Sequence, residues 1–176
     1  MAFTDEDIKI YQENAPVPEN GLGEEESAAL YVAHRENGNL EKTRQLGELL
    51  AQTLVGDVPR LEGDPHGRQK LVLLSFLISD ELEAKLTDGI LRQSAASAFR
   101  RKVEELDPAV FATITDSTAY TLYILHDRRV EGGECGKVLA DLCDRDGDEA
   151  LIREGNALAE EYRRLFSDII RSYAFQ

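Results

Sequence analysis

Long apolar runs are missing from this chain. The longest, "LVLLSFLI" at 71–78, falls far short of the ~20 residues that a membrane-spanning helix needs, so no membrane association is expected. Basic side chains are scarce, 20 against 34 acidic, and a net charge of −14 opposes a polyanion whose binding depends on neutralised phosphates. Nucleic acid is therefore not an expected partner. Cysteine is rare too. Cys135 and Cys143 fall on one expected helix about 12 Å apart, beyond the ~7 Å Cα limit of a disulfide, and read as reduced packing residues. The start, "MAFTDEDIKI", has no basic segment followed by an apolar one, so a secretory signal is not expected and the cytoplasm is. No Gly-rich phosphate loop, H-E-x-x-H, C-x-x-C or G-x-S-x-G sequence occurs, so no standard cofactor site is expected.

Alternation of apolar and polar residues is nearly absent as well, whereas i, i+3, i+4, i+7 spacing recurs throughout, which predicts an all-α fold. With 176 residues, 42% hydrophobic and 31% charged, the composition is globular, and folding would hide roughly 70% of the unfolded chain's surface. The expectation is a single-domain helical bundle over 1–176 with about six to eight helices. Within it, 1–55 hold acidic N-terminal helices and a hairpin, 56–68 form a loop, and 69–176 form the main bundle.

The first expected helix starts at Thr4 and is stopped by "APVPENG" (15–21). "GEEESAALYVAHREN" (23–37) and "GNLEKTRQLGELLAQTLVG" (38–56) each show helical periodicity. The "NGN" between them is a helix stop, and together they predict a helical hairpin. Over about residues 24–55 this hairpin resembles one unit of the tetratricopeptide family. No second copy follows at a period of 34, so the resemblance implies a lone hairpin and not a stacked solenoid. Two prolines and three glycines in "GDVPRLEGDPHGR" (56–68) predict the connecting loop and a hinge.

"KLVLLSFLI" (70–78) is apolar nearly all round and predicts the most buried helix. Ser79 and Asp80 offer capping groups for a restart, and Asp88 with Gly89 offers a second break. Whether 79–105 is one helix or two stays open. "SAASA" (94–98) provides a small-residue face for a close helix approach. Asp107 before Pro108 fits an N-cap with proline at the first helical position, and a further break is expected near Asp116 and Ser117. Cys135, Val138, Leu139, Leu142 and Cys143 share one face of the next segment. The last helix carries a stripe of Leu151, Leu158, Tyr162, Leu165, Ile169 and Tyr173, with Phe166 and Ile170 beside them.

Several clusters could carry chemistry. "CDRDGDEALIRE" (143–154) resembles a calcium loop only loosely. With Gly147 in the glycine position, position 12 is Arg153, and with Asp144 at position 1 the glycine position is Glu149. The stretch reads instead as a glycine-terminated helix followed by Asp148 at the next N-terminus. "DELE" (80–83) and "EELD" (104–107) each place carboxylates at i, i+3 on one helical face. This looks like the pattern of the all-α nucleoside triphosphate pyrophosphohydrolases. That resemblance implies Mg²⁺ held by Asp80, Glu83, Glu104 and Asp107 for attack by water on a phosphate anhydride. The same residues read more simply as caps and a solvated face.

"HDRR" (126–129) resembles the His-Asp phosphohydrolases, in which His126 and Asp127 would join a second histidine, His34 or His66, and Asp168. A histidine with arginines ending a helix also complements its dipole. His126 with Cys135 as a nucleophile pair, a polar pocket around Tyr120 and Tyr123, and the basic cluster Arg100, Arg101 and Lys102 are further candidates. Each has a structural reading in core or on surface.

The charge is uneven: 1–66 carry 14 acidic and 5 basic side chains, 67–176 carry 20 and 15. The sequence favours a non-catalytic, acidic, helical protein-interaction or regulatory domain that binds a protein partner or a second copy of itself, without cofactor. A Mg²⁺-dependent hydrolase is the alternative. An acidic occupant of a basic groove is a third reading.

Overall fold

A computed structural model describes residues 23–115, 117–127 and 134–175. Among them are eight helices and no strand: α1 Glu24–Glu36, α2 Asn39–Leu61, α3 Gly67–Lys85, α4 Gly89–Leu106, α5 Pro108–Ile114, α6 Ser117–Asp127, α7 Cys135–Leu142 and α8 Glu149–Ser172. The all-α expectation holds. The first expected helix, starting at Thr4, lies outside the described residues. No described helix is long and apolar enough to cross a membrane.

Helix α3 is the axle of the bundle. Lys70 to Ile78 are buried without interruption, followed by Glu81 and Leu82, because its apolar residues occupy every face and no single neighbour can cover them. It accordingly packs against α2, α4, α5, α6, α7 and α8. Leu73, Leu74, Leu77 and Ile78 are fully buried, and each such side chain contributes about 1.5–3 kcal/mol when removed from water. The restart expected at Ser79 and Asp80 does not occur: α3 continues to Lys85, since Leu82 still faces the core. The break comes at 86–88, where Asp88 caps α4 by accepting from the N–H groups of Ile90 at 2.9 Å and Leu91 at 3.1 Å. Residues 79–105 thus form two helices.

The loop expected over 56–68 is shorter than its prolines and glycines suggested. Helix α2 runs on through Pro59 to Leu61. Proline there removes one helical hydrogen bond, yet Val55, Val58 and Leu61 pack on the core, and the Tyr162 hydroxyl of α8 donates to Asp57 at 2.8 Å. Tertiary packing outweighs the local signal. What remains is a turn at 62–66, in which the Asp64 carboxylate accepts from the His66 N–H at 2.7 Å.

The hairpin forms as expected, turning at Gly38 with φ +79°, a conformation that favours glycine. Among the described helices, α2 and α4 make the most extensive pairing. A Cβ added at Gly47 would lie 2.3 Å from the Ala95 carbonyl oxygen and 2.8 Å from the Ala98 Cβ, so the "SAASA" face does receive a close neighbour. Helices α7 and α8 approach in the same way through Gly136 and Gly155.

The inner face of α8 differs in detail from the expected stripe. Leu151, Gly155, Ala159, Tyr162, Phe166 and Ile170 are buried, whereas Leu165 is 40% exposed. Glycine and alanine sit inward because α7 is close, and a count of large apolar residues places the face slightly off. At the other breaks, Asp107 caps α5 through the N–H groups of Ala109 and Val110, and Asp148 caps α8 through those of Ala150 and Leu151.

These helix contacts give a paired test. Gly47→Ala should destabilise the protein by about 1–3 kcal/mol through overpacking against α4. Gly56→Ala, on the same helix with open space around it, should stabilise it by about 0.5–1 kcal/mol. Urea unfolding of both variants checks the contrast, and equal effects would contradict the described helix contact.

Candidate functional site

The four carboxylates of the magnesium expectation are not gathered. Asp80 forms an ion pair with Arg163 of α8. Asp107 spends one oxygen on the α5 cap. Glu83 and Glu104 are exposed on the last turns of α3 and α4. The reason is the break at 86–88. It puts the end of α3 beside the start of α4, whereas Glu104, fifteen residues along α4, is ~22 Å from that junction. Among the described residues, no three His, Cys, Asp or Glu side chains come close enough together to hold a metal ion. The expected four-residue ligand set is thereby corrected.

The other candidates also resolve individually. The side chains of His126 and Asp127 lie outside the described residues. Of their proposed companions, His34 is buried against Asp88, His66 precedes α3 in the Asp64 turn, and Asp168 lies exposed on α8. Tyr123 lines no open pocket: it is fully buried and stacks on Phe76 at 5.2 Å between ring centroids, while Tyr120 meets Phe76 edge-on. Burial pushes its phenol upward. Arg100 and Arg101 are exposed, and Lys102 pairs with Glu105 at 2.9 Å. Cys135 and Cys143 are free thiols, and burial raises Cys143 above the ordinary thiol value, as suits packing residues. In the 143–154 stretch, Arg145 donates to Asp148 at 2.6 Å. The Asp148 cap forms as read from sequence, but the helix stop is not glycine-terminated. Helix α7 ends at Leu142, the left-handed residue after it is Asp144 with φ +54°, and the Arg145 N–H donates to the Ala140 carbonyl at 2.9 Å. Gly147, with φ +74°, turns the chain just before the cap.

Two arrangements escaped the sequence reading. The first fastens α1 to the bundle. His34 is buried; its Nδ1 lies 3.2 Å from the Asn39 amide nitrogen and its Nε2 lies 3.0 Å from Asp88 Oδ2. Since the amide nitrogen can only donate, Nδ1 accepts and Nε2 carries the proton that it donates to Asp88. The same carboxylate caps α4 through its other oxygen. Burial raises the Asp88 value, but the Leu91 N–H, His34 and the Ile90 N–H outweigh it and hold the carboxyl below the ordinary range.

The second is an open groove of 460 Å³ between α3 and α8, lined by Glu81, Arg163, Arg164, Ser167, Asp168 and Arg171. Arg163 organises its inner end. Its guanidinium pairs with Asp80, lies 4.0 Å from Glu81 Oε1 and reaches to 3.9 Å from the Cys135 sulfur. Arg164 pairs along its own helix with Glu160. Glu81 is 8% exposed and its Oε2 has no hydrogen-bond partner. A signal existed for this residue: Glu81 continues the i, i+3, i+4 row of Leu74, Leu77 and Ile78 on the apolar helix, an unusual place for a carboxylate.

The surface of α1 differs from that of the other long helices. Among its described side chains only His34 is buried, and Ala28, Ala29, Tyr31, Val32 and Ala33 are exposed, Val32 at 43%. No protein-family model matches the chain, and neither a curated protein nor a solved structure matches it.

The depressed Asp88 value fixes a pH dependence. Stability from Asp88 is fully present above the unfolded carboxylate value, about pH 4, and is lost as pH falls through the lower folded value. Asp88→Asn keeps a capping side chain but removes the charge that meets His34. The stability gap between wild type and variant should therefore be full at about pH 6 and shrink below about pH 4. Urea unfolding across that range tests it, and a gap that is constant with pH would contradict the assignment.

Proposed function

We propose that this chain is a cytoplasmic helical protein-interaction domain that meets a basic partner through the outer face of α1. The observation that carries this reading is the exposure of Ala28, Ala29, Val32 and Ala33 on a thirteen-residue helix that buries only His34 among its described side chains. A helix of that length is marginal alone in water and gains stability by covering an apolar face. Fastening by His34, Asn39 and Asp88 holds the helix in place and leaves that face open.

Charge selects the partner. Residues 1–66 hold 14 acidic and 5 basic side chains, so the complementary surface has an apolar centre rimmed by lysine or arginine. Two free cysteines suit a reducing compartment. Self-association through the same face would bring like charges together, and added salt would strengthen it; a basic partner would be released by salt.

Affinity capture from extract of the source cells, compared between wild type and Val32→Arg at about 50 and about 500 mM salt, separates these outcomes. The expectation is a basic protein held at low salt, released at high salt, and weakened about tenfold or more by the variant. Retention that is indifferent to Val32→Arg, or a self-complex favoured by salt, would overturn the reading.

A further inference from the structure

We propose that α1 is a releasable arm, which opens from the bundle as one unit at the Asn37–Gly38 turn while the other helices stay folded, and that the buried His34 contact is its latch. The apolar core does not hold it. No described residue of α1 belongs to that core or is among the half-buried apolar side chains packed on it. By contrast α5, a helix of seven residues, adds Val110, Ile114 and Phe111. The one buried side chain described on α1 is His34, and it meets Asn39 and Asp88 through hydrogen bonds.

The partners of His34 are anchored without it. Asp88 Oδ1 accepts from the N–H groups of Ile90 and Leu91, so α4 keeps its cap when Oδ2 is freed. The Lys42 N–H donates to the Gly38 carbonyl at 3.1 Å, and the Asn39 N–H donates to Asn37 Oδ1 at 3.1 Å, so α2 keeps its first turn. Freed polar groups exchange a protein partner for water, and the net loss per hydrogen bond is small, whereas parting an apolar contact costs in proportion to its area. The turn offers a pivot. Gly38 has φ +79°, and a Cβ there would meet nothing within 4 Å.

Opening also dissolves the arm. Thirteen residues are marginal as an isolated helix, so an α1 freed from His34 melts, and Ala28, Ala29, Val32 and Ala33 no longer share one face. The consequence for binding rests on the reading of α1 as the docking face. The latch then sets the fraction of molecules competent to bind, and the apparent affinity falls by that fraction.

The test is amide hydrogen exchange of the full chain, read by NMR with and without urea below the unfolding transition. The expected result is one common protection over 28–36 of α1, at least about a hundredfold lower than that over 70–78 of α3 and little changed by urea. His34→Ala should lower the protection of α1 by about tenfold more and leave that of α3 as it is. Val32→Arg, on the exposed outer face, should alter neither. The urea dependence of the unsubstituted chain decides the matter even if His34→Ala disturbs folding. Protection of α1 in step with α3, a graded loss toward Glu24 that marks fraying from the end, or indifference to His34→Ala would overturn the proposal. Exchange is read on the chain alone. A latch that behaves as stated, beside partner capture indifferent to Val32→Arg, therefore upholds the arm and sinks only the docking reading.

Discussion

A helix that is apolar on every side cannot face water anywhere, and α3 imposes that condition on the rest of the molecule. Its central turns are buried without a gap from Lys70 to Ile78, so the chain must supply neighbours around the whole circumference. It does so with α2, α4, α5, α6, α7 and α8. Short helices suffice for part of this cover: α5 and α7 have seven and eight residues, too few to persist alone. They exist because their neighbours give Val110, Ile114, Val138 and Leu139 somewhere to go: α5 packs on α4 and α3, and α7 packs on α3 and above all on α8, where Leu139 meets Gly155. Dispersion and water exclusion hold this layer, while the aspartate caps at Asp88, Asp107 and Asp148 decide where each segment stops turning and begins again.

Close packing around one axle also demands small residues where second-layer helices meet. Gly47 against Ala95 and Ala98, and Gly136 against Gly155, allow α2 with α4 and α7 with α8 to approach until backbone touches side chain. These contacts explain why the inner face of α8 runs through Gly155 and Ala159. A helix with leucine at those positions would stand farther off and leave α3 partly uncovered.

How much of this was legible follows from where each signal is local. The burial of α3, the caps at Asp107 and Asp148 and the close approach at "SAASA" are all written in short stretches, and each is found. The extension of α2 past Pro59 was not legible, because its cause lies on another element: Tyr162, about a hundred positions away, bonds to Asp57. The same holds for the candidate sites. Asp80, Glu83, Glu104 and Asp107 make a persuasive ligand set by spacing, but spacing cannot show that the helix breaks at 86–88 and leaves Glu104 at the far end of α4. The groove residues Glu81 and Arg163 are 82 positions apart, as their numbering gives, and only the packing of α3 on α8 joins them.

The two open features of the surface follow from the same constraint. Helix α1 is the one described long helix that does not pack on α3, so no apolar axle claims its Ala28, Ala29 and Val32, and a polar fastening at His34 substitutes for burial. The groove arises where the apolar character of α3 gives out: at Glu81 the helix presents a carboxylate to α8, and α8 answers with Arg163 at 4.0 Å instead of with an apolar side chain. A fully apolar pairing would have closed that seam. A fully paired ionic one, like that of Lys70 with Asp64 and Glu154, would have satisfied it. The seam is instead charged, buried at its floor and incompletely paired, with Glu81 Oε2 held 4.0 Å from Lys85 Nζ and without a hydrogen bond.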